Sequence, residues 1–185
     1  MNNQVLLDEI EYWEKILPTN TNPELLELSF FKIFIKFEKF VSDVFISYCI
    51  GNISHKAYCP NRKLNFIDEE HLNAIIKKEN RGFVNHYESI FKLSEHIFFD
   101  NPFEIISRDA ILTSEFNNMK IIRDYIAHES SHARSKYESV LLNNKAFIEP
   151  FEFLQKTRRG TAKSNYTHYI EALKNSSEYL LTGPA

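Results

Sequence analysis

Glycine and proline are scarce in this chain, four and six among 185 residues. So few turn formers leave little room for hairpins and favour long helices with short connections. Cysteine is nearly absent: Cys49 and Cys59 are the whole complement, which excludes a disulfide framework. His55 and Cys59 stand four apart but lack a second ligand pair, so no metal site is expected there. A long uninterrupted hydrophobic run is also missing. The most apolar stretch, 30–50, is broken by Lys32, Lys36, Glu38, Lys39 and Asp43, a charge density incompatible with a membrane span. Residues 1–14 carry Asp8, Glu9, Glu11 and Glu14 and no basic apolar leader, so they do not read as a signal peptide. Positive charge is not in excess either. A formal net charge of −3 argues against a protein that coats nucleic acid through its overall field; any such contact must be local. The expectation from these absences is a cytoplasmic protein with no membrane partner.

Aromatic residues, by contrast, are abundant, with 16 Phe and nine Tyr, so a heavy aromatic core is expected. The length suits one domain, 1–185, and no internal repeat or low-complexity segment divides it. The pattern predicts an all-α bundle of about five to seven helices with little or no sheet. A first helix is expected over 5–16, ended by Pro18. Asn22 and Pro23 open a long second helix that Gly51 stops. Its main stripe is Leu26, Phe30, Ile33, Phe34, Phe37, Val41, Val44, Phe45 and Tyr48. Leu28, Phe31, Ile35 and Ile46 form a second band, which suits either a central helix or one shared between a core and a subunit seam. Further helices are expected over 68–78 with Asp68 as cap, 84–98, 113–127 with Thr113 or Ser114 as cap, 131–142 and 164–181. Arg81-Gly82, Asp100-Asn101-Pro102 and Glu149-Pro150 read as breaks or loops, and residues 182–185 as a frayed end.

The helix that ends near His128 carries the chemistry. Its stripe is Leu112, Phe116, Met119, Ile122 and Ile126, and Arg123 falls inside that arc. Arginine is rarely buried without a partner, so Arg123 either pairs with a core carboxylate such as Glu38 or lines a polar slot in a subunit seam. His128 follows where the helix should end; alone, it reads as a capping or surface residue. Together the two suit RNA cleavage. RNA supplies its own nucleophile, the 2′-hydroxyl. Histidine exchanges protons near neutral pH, and arginine offers permanent charge in a fork matched to phosphate oxygens. No metal or cofactor is required. One histidine does not easily serve both ends of the scissile bond, whereas a two-fold dimer supplies two. Two Arg123 side chains would also make the cleft locally positive.

The segment Ile121-Ile122-Arg123-Asp124-Tyr125-Ile126-Ala127-His128-Glu129-Ser130 resembles the HEPN superfamily (higher eukaryotes and prokaryotes nucleotide-binding domains). The resemblance rests on R-x-x-x-x-H, a polar residue after the Arg, a small one before the His, and an all-helical setting. It implies a helical bundle, a symmetric homodimer with the motif at its interface, and a metal-independent endoribonuclease that leaves 2′,3′-cyclic phosphate and 5′-hydroxyl ends. Arg123 and His128 would then be the catalytic pair and Asp124 their support. It also implies a toxin–antitoxin or antiviral-defence setting, with an antitoxin or nucleotidyltransferase as a partner. One branch has Tyr two residues after the His; Ser130 stands there in this chain, so tyrosine modification at that site is not expected. Some relatives keep the domain only for binding or dimerisation, which is the alternative reading.

His128-Glu129-Ser130-Ser131-His132 also matches H-E-x-x-H and resembles the zinc metallopeptidase signature. That reading needs a continuous helix through both histidines and a third ligand, with Glu149 or Glu152 as candidates. The basic run Thr157-Arg158-Arg159-Gly160-Thr161-Ala162-Lys163 reads as a solvated loop or, functionally, as an RNA-backbone contact through Arg158, Arg159 and Lys163.

Overall fold

The computed structural model describes residues 1–19, 22–77 and 87–183. Among them there is no strand, only two isolated antiparallel bridges, Arg62 with Phe98 and Thr157 with Ser164. The fold is all-α, as the scarcity of turn formers predicts.

Helix α1 (Gln4–Ile16) runs into a 3-10 turn, Leu17–Thr19. Helix α2 (Pro23–Cys49) starts where the local signals place it: Asn22 Oδ1 accepts from the Glu24 amide at 3.0 Å, and Pro23 has no amide to satisfy. It stops at Gly51, whose φ of 87° suits glycine, and Arg62 Nη1 donates to the freed Cys49 carbonyl at 3.0 Å. Helix α3 (Glu69–Lys77) is capped by Asp68, whose Oδ1 accepts from the His71 amide at 2.8 Å. Helix α4 covers Tyr87–Ile97; its expected start at 84 and the Arg81-Gly82 break lie outside the described residues.

Helix α5 (Glu104–Arg108) follows the Asn101 turn, where Asn101 Oδ1 accepts from the Phe103 amide. Helix α6 (Ala110–His128) begins earlier than expected, with Thr113 and Ser114 inside it rather than capping it. Asp109, extended at φ −77° and ψ 107°, is the single residue between α5 and α6, so α6 restarts at once. Helix α7 (Ser131–Lys136) continues into a π turn, Tyr137–Leu141. Glu149-Pro150, expected in a loop, instead opens helix α8 (Pro150–Gln155) with a reciprocal capping box between Glu149 and Glu152. Helix α9 spans Asn165–Thr182. Its end is not frayed as far as Gly183. Tyr48 Oη donates to the Leu180 carbonyl, Ser54 Oγ donates to that of Leu181, and Gly183 is buried at φ 76°.

Contacts divide the chain into two compact units. One comprises Met1–Gln4, Lys36–Asp109 and Asn175–Ala185; its core includes Val44, Phe45, Tyr48, Ile90, Phe98 and Phe103, with Phe45 edge-on to Phe98 and Phe103. The other comprises Val5–Ile35 and Ala110–Lys174 and contains the motif; its core includes Phe30, Ile33, Phe34, Phe116, Met119, Ile122, Tyr137 and Leu154. The main stripe of α2 is buried from Phe30 to Tyr48, whereas Leu28 and Ile35 of its second band stay 40% and 39% exposed. Among the described residues no helix is long and apolar enough to cross a membrane.

Candidate functional site

Helix α6 carries the motif in its last two turns, from a half-buried Arg123 to an exposed His128. Phe116, Met119 and Ile122 are buried as the stripe predicts, and Ile121 and Tyr125 are buried as well. Arg123 is tied in place: its side chain is only 11% exposed, Nη1 donates to Asp124 Oδ1 at 2.5 Å, and its guanidinium lies 5.7 Å from the centre of the Phe34 ring. A planar cation over an aromatic face gains from the ring quadrupole. Asp124, its chain neighbour, supplies one carboxylate, and Glu38 is buried in α2. Phe34 was not singled out as part of the site. Its place in the α2 stripe signals burial but does not say which side chain it meets.

His128 is the last residue of α6 and is exposed. The helix ends there because Glu129 adopts φ 44°, a left-handed conformation that a non-glycine residue takes at a cost. Its amide still donates to the Tyr125 carbonyl at 2.9 Å. Ser130 Oγ then accepts from the Ala133 amide at 3.2 Å and starts α7. Five residues on a helix are about 140° of rotation, so Arg123 and His128 leave α6 in different directions. The same break separates His128 on α6 from His132 on α7, and the helical spacing that H-E-x-x-H needs is lost. Among the described residues no group of three His, Cys, Asp or Glu side chains is placed to hold a metal ion.

Carboxylates gather near this end of α6. Burial pushes the Glu27 carboxyl above the ordinary range; the Phe151 amide, donating to it at 2.9 Å, pulls it back, while Glu149, Glu129 and Glu24 push it further up. Burial also raises the Tyr125 hydroxyl, with Glu149 adding to the effect. The Tyr125 ring stacks on Tyr137 at 5.1 Å, and Arg134 covers the Phe147 ring at 4.4 Å.

The basic run between α8 and α9 forms a tight hairpin-like loop. The Arg158 amide donates to the Lys163 carbonyl, and the Asn165 amide to that of Lys156. Its three cations have different settings. Arg158 turns inward: Nη2 donates to Glu115 Oε2 at 2.6 Å, Nε to Asn165 Oδ1 at 3.3 Å, and the guanidinium lies 5.6 Å from the centre of the Tyr169 ring. Lys163 pairs with Glu171 on the surface. Arg159 is exposed beside Gly160, at the turn of the loop. The anchor, Glu115, is buried and was not anticipated, although it falls in the α6 arc between Met119 and Ile122. The geometry that marks Arg123 as needing a partner marks Glu115 equally.

Comparison with models of protein families, with curated proteins and with solved structures finds no match.

Proposed function

We propose that this chain is a metal-independent endoribonuclease of the HEPN type, acting through Arg123 and His128. The observation that carries the reading is the pairing of an oriented arginine with a free-standing histidine. Arg123 is fixed by Asp124 and Phe34, and five residues later an exposed His128 closes the helix. A charged fork held in one geometry needs no reorganisation when phosphate charge develops. Asp124 takes the supporting role, orienting the guanidinium through Nη1.

In the proposed reaction one His128 removes the proton from the 2′-hydroxyl, and the 2′-oxygen attacks phosphorus. The bond from phosphorus to the 5′-oxygen breaks, and a second imidazolium returns a proton to that oxygen. The products are a 2′,3′-cyclic phosphate and a 5′-hydroxyl. Arg123 stabilises the more negative phosphorane between them. Because Arg123 and His128 of one chain diverge by about 140° on α6, a homodimer that brings in a second motif is the natural way to surround one phosphate. A toxin or antiviral-defence effector, restrained by an antitoxin or nucleotidyltransferase partner, is the biological setting that fits such an activity.

The low exposure of Arg123 favours one alternative, a non-catalytic HEPN-type module that keeps the motif for binding or dimerisation. One assay separates the two. Purified protein is expected to cut single-stranded RNA in EDTA, and His128→Ala and Arg123→Ala each to lose about 100-fold or more in rate. Wild-type protein inert toward varied RNAs, or activity that survives both changes, refutes the ribonuclease.

A further inference from the structure

Past the break after His128 the chain sets a flat cation on an aromatic ring. Arg134, on α7, lies over the Phe147 ring at 4.4 Å. Its Nε donates to Glu138 Oε1 at 2.8 Å, which fixes the plane of the guanidinium. The ring covers one face of that plane, and the side chain is still 52% exposed. Phe147 is itself braced. Tyr125 and Tyr137, stacked at 5.1 Å, each meet it edge-on. Tyr125 belongs to the motif, three residues before His128. An exposed guanidinium held flat by a ring and a carboxylate is a platform on which a nucleobase stacks.

The groups around the platform select among the bases. Glu149, Glu129 and Glu138 all act on the Tyr125 hydroxyl, as Arg134 does, so three carboxylates lie at this end of α6. Two of them are engaged: Glu138 holds Arg134, and Glu149 caps α8. Glu129 is exposed, directly after His128. The Arg134 amide donates to the carbonyl of Ser130, the cap of α7, at 2.9 Å. Glu129 and Arg134 thus occupy the two positions around a cap whose side chains lie together. A carboxylate only accepts hydrogen bonds. Guanine presents adjacent donors on one edge, its N1–H and its N2 amino group, and a carboxylate takes both. Adenine and cytosine set an acceptor nitrogen beside their amino group. Uracil flanks its N–H with carbonyl oxygens. Each of these three opposes the carboxylate with a lone pair.

We propose that Arg134 and Glu129 form a guanine subsite beside His128: the base stacks on the outer face of the Arg134 guanidinium, and the Glu129 carboxylate accepts from its N1–H and N2 amino group. That this subsite chooses where RNA is cut rests on the ribonuclease reading; the binding of guanine does not.

Equilibrium dialysis of the full chain against guanosine, adenosine, cytidine and uridine 5′-monophosphates tests it. The wild type is expected to bind guanosine monophosphate about tenfold tighter than each of the other three. Glu129→Gln sets an amide N–H against the donors of the base and should abolish that preference. Arg134→Lys keeps the charge but not the plane, and should weaken binding of guanosine monophosphate about tenfold. Both positions are exposed, and circular dichroism of each variant checks that it still folds. Four nucleotides bound alike, or none bound at millimolar concentration, overturn the inference. So does a guanine preference that survives Glu129→Gln. RNA cleavage is scored separately. Selective binding without cleavage refutes the ribonuclease and leaves the subsite standing, whereas cleavage without selective binding refutes the subsite and leaves the ribonuclease.

Discussion

Arg158 and Arg159 are neighbours in the chain with opposite surroundings, and the difference is measurable. Arg158 reaches a buried carboxylate, Glu115, at 2.6 Å; Arg159 stands in solvent at the turn of the same loop. Breaking a buried pair leaves a charge without its counter-ion and costs about 3–5 kcal/mol; the 26% exposure of the Arg158 side chain brings this to about 2 kcal/mol. Arg158→Ala is therefore expected to lower the urea midpoint clearly. Arg159→Ala should leave stability unchanged and, if the loop meets RNA, weaken RNA binding and flatten its salt dependence. Equal stability losses in the two variants would contradict the assignment of Arg158 as the anchor. Angular position on a helix was enough to single out Arg123, and it would have been enough for Glu115. What angular position does not contain is the partner. That the Phe34 ring lies against Arg123 depends on which face of which helix packs against α6, and that is a matter of tertiary contacts.

Element ends were legible wherever a residue with a specific backbone role stands at them. Asn22-Pro23, Asp68 and Gly51 open or close their helices by short-range chemistry, and the structure uses each of them so. Helices α5 and α8 were missed because five or six residues complete fewer than two turns and cannot show a periodic stripe. The break after His128 was legible as the fading of the α6 stripe, but not through its residue type, since Glu is an unusual choice for a left-handed position. Glycine there removes that strain. Glu129→Gly is expected to raise stability by about 1 kcal/mol. Ser130→Ala, which removes the cap of α7, should lower it by about 1 kcal/mol. Urea unfolding of both variants checks the pair. If Glu129→Gly is neutral or destabilising, the strain ascribed to that residue is not what the backbone angle implies.

At the scale of the whole molecule, composition correctly indicated an all-helical fold, and the scarcity of glycine and proline, with no alternating patterns, was the reason. The division into two units was not legible. Each is assembled from separated stretches, and both draw on α2 and α9, so no linker or change of composition marks the boundary. The net charge of −3 also bears on function at this scale. On the proposed ribonuclease reading, with no overall field to gather RNA, turnover would depend on the local cations Arg123 and Arg159 and on chemistry that the substrate itself begins. A single substitution in the substrate therefore tests the ribonuclease reading most directly. A short RNA that the wild-type protein cuts at one position is compared, in EDTA, with the same RNA carrying a 2′-deoxy sugar immediately 5′ of that position, and the products are weighed by mass spectrometry. The account predicts a 2′,3′-cyclic phosphate and a 5′-hydroxyl from the first and no cut at that position in the second. Cleavage that persists without the 2′-hydroxyl, or products ending in a 3′-hydroxyl and a 5′-phosphate, would contradict it.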